Sequence, residues 1–144
     1  MKVEEILKAK GQEVVTVRPS ESIATFAHRL RMAGIGAMIV SEDGARMDGI
    51  ISERDVVRGL AEYGANCLTM AVSNLMTSRV VTCGPADSIA QIARLMTQNR
   101  IRHLPVVDGR RLVGLVSIGD VVKHRFEEME LEAHVLRDIA TASR

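Results

Sequence analysis

Hydrophobic positions along the chain come in short blocks with two different periods. Val3, Ile6 and Leu7, set among charged neighbours, predict a short amphipathic helix over 3–9 that Gly11 ends. Val14 to Val17 is a brief extended run, broken by Pro19. From Ser20 the period changes. Ile23, Phe26, Ala27 and Leu30 recur at spacings of three and four, with His28, Arg29 and Arg31 on the other face, which predicts a helix stopped by Gly34. Ile35 to Val40 predicts an apolar strand, Glu42-Asp43-Gly44 a turn, Met47 to Ile51 a second strand, and Glu53 to Tyr63 a helix.

The same order then recurs. Val14-Val15-Thr16 matches Val80-Val81-Thr82, Pro19 matches Pro85, Ser22-Ile23-Ala24 matches Ser88-Ile89-Ala90, and Val40 matches Val106, all at one offset. One residue drops out of the turn, after which Gly49 matches Gly114, Ser52 matches Ser117, and Asp55-Val56-Val57 matches Asp120-Val121-Val122. The chain is therefore an internal repeat, each unit reading extended segment, helix, strand, strand, helix. Between the units, Val72, Leu75 and Met76 in the stretch Asn66–Ser78 predict one short helical turn. The last helix is expected to run on to near Ala140, because Val121, Val122, Phe126, Met129, Leu131, Val135, Leu136 and Ile139 keep a roughly helical spacing. That tail exceeds what the repeat requires, and it is expected to cover the domain or meet a partner chain.

A single unit is marginal for burying a core. Two units packed sheet to sheet, with helices outside, solve this. The expected fold is α/β (α+β): two β-α-β-β-α repeats related by a pseudo-twofold axis, plus an N-terminal helix and a long C-terminal helix. Two equivalent clefts lie between the repeats, where small ligands commonly sit.

Composition narrows the function. Aromatic residues are 2% of the chain, so the core is expected to be aliphatic, and base-stacking platforms are argued against. The net charge is +1 with both signs interspersed, which argues against nucleic acid and acidic membrane surfaces. Cys67 and Cys83 are the only cysteines, not in a C-x-x-C arrangement, and read as thiols in a reducing compartment rather than a disulfide or a zinc site. Met1-Lys2-Val3-Glu4-Glu5 carries acids where a signal peptide needs a basic and then an apolar run, and no apolar stretch reaches membrane-span length. A cytoplasmic protein is expected.

The most informative stretch is Gly49-Ile50-Ile51-Ser52-Glu53-Arg54-Asp55, echoed by Gly114-Leu115-Val116-Ser117-Ile118-Gly119-Asp120. Each is an apolar strand running into a helix through a Ser-x-x-Asp corner. A helix N-terminus offers free N–H groups and partial positive charge to a phosphate. The Asp carboxylate accepts two hydrogen bonds, as a ribose diol offers, and Arg54 suits phosphate oxygens. The competing reading is that Ser-x-x-Asp is only a capping box, which needs no ligand.

These paired corners, the Thr16/Pro19 and Thr82/Pro85 openings, and Ile101-Arg102-His103-Leu104-Pro105-Val106-Val107-Asp108 resemble a tandem pair of cystathionine-beta-synthase (CBS) domains, a Bateman module, over roughly residues 8 to 126. The resemblance is to small stand-alone two-repeat proteins, and divides the chain into repeat 1 (8–64), repeat 2 (74–126) and a helical extension (127–144). It implies binding of adenosine compounds (AMP, ADP, ATP, S-adenosylmethionine or NAD(H)) in the clefts, with Asp55 and Asp120 on ribose, Ser52 and Ser117 on ribose or phosphate, and Arg54 on phosphate. Thr16 and Thr82 would lie beside the adenosine, and Arg102 and His103 would face the Asp55 cleft. The first repeat has Gly36-Ala37 where the second has Arg102-His103, and the second has Ile118-Gly119 where the first has Glu53-Arg54. The Asp55 cleft is therefore expected to gather cations and the more highly charged nucleotide. The Asp120 cleft is expected to lose its cations and to take a bulkier or less charged compound such as a dinucleotide.

The resemblance also implies a homodimer acting on a target protein that the residues do not name. No Ser–His–Asp or Cys–His order can be defended, so a regulator rather than an enzyme is expected. The alternatives are an interaction scaffold with vestigial clefts and an NADH-sensing redox regulator. His28, His124 and His134 read as solvent-exposed, Arg110-Arg111 as a hairpin tip, and Met32, Met38, Met47, Met70, Met76 and Met96 mostly as core or interface filler.

Overall fold

The computed structural model describes residues 1–11 and 13–142. The first helix, α1, spans Val3–Lys10. A parallel pair, β1 (Thr16–Val17) and β2 (Ala37–Val40), is joined through α2 (Ile23–Ala33). β3 (Gly49–Ser52) runs antiparallel to β2 and leads straight into α3 (Glu53–Tyr63). In the second half α4 (Ile89–Asn99) is followed by the antiparallel pair β4 (His103–Asp108) and β5 (Arg111–Ser117), then by α5 (Ile118–Ala142). Cys83 makes a parallel bridge to Val106, the counterpart of the β1–β2 pairing.

Local chemistry sets these boundaries. Ser22 caps α2 by accepting from the Thr25 amide at 3.1 Å, and Ser88 caps α4 in the same way from Gln91. Gly34 ends α2 in the left-handed region. The strands are shorter than hydrophobicity alone suggests. β2 starts at Ala37 rather than Ile35, and β3 at Gly49 rather than Met47, because pairing requires a partner carbonyl and not just an apolar side chain. The linker forms two 3-10 helices, Gly64–Thr69 and Val72–Asn74, where one turn is expected from sequence.

There are two cores, and each is completed by a segment from outside its own repeat. Val17, Ile23, Phe26, Leu30, Met38, Val40 and Ile51 pack with Cys67 and Val72 of the linker. Ile89, Ile92, Met96, Leu104, Val106, Val116 and Val121 pack with Val3, Ile6 and Leu7 of α1. The backbone clasps match as well. The Val72 amide donates to Glu21 O at 2.8 Å and Ile23 to Met70 O at 2.9 Å, while Val3 donates to Asp87 O at 2.9 Å and Ile89 to Met1 O at 3.1 Å. The lead-in segment is therefore part of the repeat, with Val3, Ile6 and Leu7 equivalent to Val72, Leu75 and Met76.

This packing explains the glycine that opens each corner. A Cβ on Gly49 would lie 2.6 Å from Thr77 O and 3.0 Å from Met76 Sδ, and one on Gly114 would lie 2.5 Å from Leu7 Cδ2. The lead-in crosses directly over the strand, and only glycine leaves room for it.

One expectation fails here. His124 is buried, with Nδ1 making no hydrogen bond among the described residues and Glu127 Oε2 3.6 Å away. It lies on the α5 face turned toward the protein, three residues after Val121, and helix position outweighs residue type. Of the methionines expected as core or interface filler, Met38 and Met96 are buried and Met32 is 73% exposed.

Candidate functional site

Both Ser-x-x-Asp corners form the capping box. At the first, the Ser52 amide donates to Asp55 Oδ2 at 2.8 Å and Ser52 Oγ lies 3.1 Å from the same oxygen. At the second, the Ser117 amide donates to Asp120 Oδ2 at 2.9 Å and the Asp120 amide donates to Ser117 Oγ at 3.2 Å. The caps hold each carboxylate at the head of its helix. Capping and ligand binding are compatible, because Oδ2 takes the capping bonds and Oδ1 of Asp55 makes none among the described residues.

A cavity of about 860 Å³ opens at the first corner, within the ~300–1,000 Å³ usual for small-molecule sites. Both repeats line it. Ser52, Glu53, Arg54, Asp55 and Arg58 come from the first, and Asn99, Arg100, Arg102 and His103 from the second, with Arg79 and Val80 from the connecting stretch. The cavity thus has five arginines against the two carboxylates Glu53 and Asp55. Arg54, Asp55, Arg102 and His103 are brought together as the sequence suggests. Arg58, Arg79 and Arg100 are additions. Arg58 follows Arg54 by one helical turn, a signal present in the sequence. Arg79 and Arg100 sit in irregular backbone, where no periodicity marks them.

Arg100 holds a left-handed conformation, φ 53° and ψ 45°, as the C-cap of α4; the matching residue of the first repeat is Gly34, φ 64° and ψ 35°. Its carbonyl lies 3.4 Å from Arg54 Nη1. It is the only non-glycine residue with positive φ among the described residues, and such strain commonly accompanies binding sites.

His103 stands between the two corners. It pairs with Ser117 across β4–β5, and its ring approaches Gly36, where an added Cβ would lie 3.3 Å from Cε1. Burial lowers its pKa from the ordinary histidine value; Glu53 opposes this, Lys10 and Arg102 reinforce it, and Asp120 opposes it weakly.

The second corner does not lack cations. Lys10, at the end of α1, places Nζ 2.7 Å from Asp120 Oδ2 and 2.9 Å from Leu115 O. Burial alone would raise the Asp120 pKa; the hydrogen bonds and charge of Lys10, with the Ser117 bonds, overcome it and leave it lowered. Matching the two corners in sequence misses Lys10, because α1 precedes the matched stretches and joins the second repeat only through tertiary packing. In the matched lead-in segments Lys10 is the counterpart of Arg79, and in the helices that follow the corners Lys123 is the counterpart of Arg58. Thr16 and Thr82 are not part of the 860 Å³ cavity lining. Thr16 is half-buried in β1, its carbonyl accepting from Arg29 Nη2 at 2.8 Å, and Thr82 is exposed.

Two clasped repeats with matched corners and a cation-lined cleft between them define a tandem-repeat ligand-binding module. A family model for the CBS domain matches residues 3–62 and again 72–127, and the chain belongs to that family. It is 30% identical to the CBS domain-containing protein CBSX3, mitochondrial, of Arabidopsis thaliana, over 92% of this chain and 71% of that one. The crystal structure of the CBS-domain containing protein ATU1752 from Agrobacterium tumefaciens superposes with a TM-score of 0.83 at 44% identity, covering 86% of this chain and 92% of that one. The CBS domain pair of protein MJ0100, solved in complex with 5′-methylthioadenosine and S-adenosyl-L-methionine, superposes with a TM-score of 0.77 at 26% identity, covering 89% and 98%. No helix among the described residues is long and apolar enough to cross a membrane.

Proposed function

We propose that this CBS pair is a regulatory sensor that binds an adenine nucleotide in the Asp55 cleft. The observation that carries the reading is the convergence of five arginines from both repeats on the cavity that contains Ser52 and Asp55. Arginine suits phosphate because its donors form a planar fork. Asp55, held by its cap, is placed to accept a ribose diol. The adenosine compounds held by the MJ0100 pair support the class of ligand, and the arginine count favours AMP, ADP or ATP over an uncharged adenosine compound.

A nucleotide spanning both repeats is bound better by one relative orientation than by another, so its binding shifts that equilibrium, and a target protein reads the shift. The chain acts as a homodimer and by binding rather than by catalysis. The Asp120 corner, whose carboxylate already pairs with Lys10 through Oδ2, takes a less highly charged ligand, NAD(H) included.

Calorimetric titration of the protein, Asp55→Ala and Asp120→Ala with AMP, ATP and NADH tests the proposal. Asp55→Ala should weaken AMP and ATP by at least about tenfold, since bonds to charged groups contribute ~1.5–3 kcal/mol. Asp120→Ala should spare them. Equal losses for every ligand, or no adenosine ligand binding at all, would sink the reading, the latter in favour of a scaffold.

A further inference from the structure

α5 is held to the body only along its first half. Val121 and His124 are buried, and Glu128 lies 2.9 Å from the Met1 nitrogen and 2.7 Å from Arg125. Every residue from Met129 to Ala142 is exposed, so the expectation that this tail covers its own domain fails. Val122, Phe126, Met129, Ala133 and Leu136 alternate spacings of four and three along it, the pattern of a two-stranded seam. Phe126 is 62% exposed and Leu136 67%. The lower end of this seam continues into a groove of about 320 Å³ between α4 and α5, to which Val122, Phe126 and Met129 contribute.

We propose that the α5 seam is occupied by α5 of a second copy of this chain, parallel and in register. The flanking charges select that occupant. Arg125 and Glu132 lie on one side of the seam, and Lys123, Glu130 and Arg137 on the other. In a parallel in-register pair, each residue of the first side meets the residue five further along on the partner. Arg125 then meets Glu130 and Glu132 meets Arg137, opposite signs at every contact. Arg125 already pairs with Glu128 within its own chain, whereas no ion pair holds Glu130, Glu132 or Arg137 among the described residues. An antiparallel pair with full overlap stacks Phe126 on Leu136 and sets Glu130 on Glu130, Glu132 on Glu132 and Lys123 on Arg137, all like charges. Sliding that pair by one heptad restores opposite signs but pulls Leu136 off the seam in one direction and Val122 and Phe126 off it in the other. Leu131 and Val135 lie on the far side of α5, outside it. The inference rests on α5 alone and does not depend on the nucleotide reading.

The test uses the full chain. Sedimentation should give a dimer. Leu136→Cys should form a covalent dimer in a glutathione redox buffer, because only the parallel register brings residue 136 of the two copies together. Cys67 and Cys83 are buried and do not compete, the Cys83 thiol being pushed up to about 12 by burial and Asp87. Glu132→Lys and Arg137→Glu should each weaken the dimer by about tenfold, and the double variant should restore it. A monomer at about 100 µM, an assembly larger than a dimer, a dimer without the Leu136→Cys cross-link, or a double variant no tighter than the single ones would each overturn the proposal.

Discussion

Replacing Arg100 with glycine should stabilise the empty protein and weaken its ligand. Arg100 sits at φ 53° and ψ 45°, where the first repeat has Gly34. A side chain in the left-handed region costs roughly 1–2 kcal/mol, and glycine returns roughly 0.5–1 kcal/mol of that through the greater freedom of the unfolded chain. The net gain is about 0.5–1 kcal/mol, a rise in melting temperature of about 2–3 °C for a chain of this size. The carbonyl that Arg54 approaches is retained by the substitution, so that contact survives. What is lost is one of five guanidinium groups lining the cavity. Arg100 is exposed, so water screens its charge and the loss falls toward the low end for a charge-assisted bond, about tenfold in affinity for ATP. Thermal melts without ligand and calorimetry with ATP read the two effects separately. A lower melting temperature would refute the strain argument. A higher melting temperature with unchanged ATP affinity would show that the strain serves something other than the ligand.

Gly49→Ala should cost more than Gly114→Ala in urea unfolding. The first drives Cβ into the Thr77 backbone carbonyl, whereas the second meets the end of the Leu7 side chain, which can turn aside; overpacking of this kind costs ~1–3 kcal/mol, with Gly114→Ala at the lower end. His103 should make stability pH-dependent. Its folded pKa is depressed, chiefly by burial, so the unfolded chain takes up the proton first, and stability is lost as pH falls below the unfolded value of ~6.5 toward the folded one. Unfolding of His103→Gln at a series of pH values should show a flatter profile over that window, and an identical slope would remove His103 from the argument.

Much of this molecule is legible from its residues. Apolar spacing places α2 and α3, and the Ser52 and Ser117 corners locate both strand-to-helix junctions. What is not legible has a common physical origin. Lys10, Arg79 and Arg100 reach their positions through tertiary crossing rather than through periodicity. α1 looks like a lead-in because its apolar face is only Val3, Ile6 and Leu7, and nothing local shows that this face completes the far repeat. His124 is misread for the same reason: its burial comes from where α5 lies on the body, not from its residue type.

The clasp between lead-in segments and opposite repeats bears on how such a module would signal. Lys10 ends the segment that completes the second core and also holds Asp120, while Arg79 follows the segment that completes the first core and lines the cavity with Asp55. Each corner is therefore wired to the segment that packs its own repeat's core. A ligand that displaces Lys10 from Asp120 breaks a partly exposed ion pair, which stabilises by little, but the freed charge belongs to the helix packed over Gly114. A phosphate that draws in Arg79 acts on the linker packed over Gly49. The two repeats share a fold but present these segments with different charges and different neighbours, so nominally equivalent clefts need not produce equivalent movements. That asymmetry includes a handful of substitutions at matched positions, Arg102 for Gly36 and Gly119 for Arg54 among them.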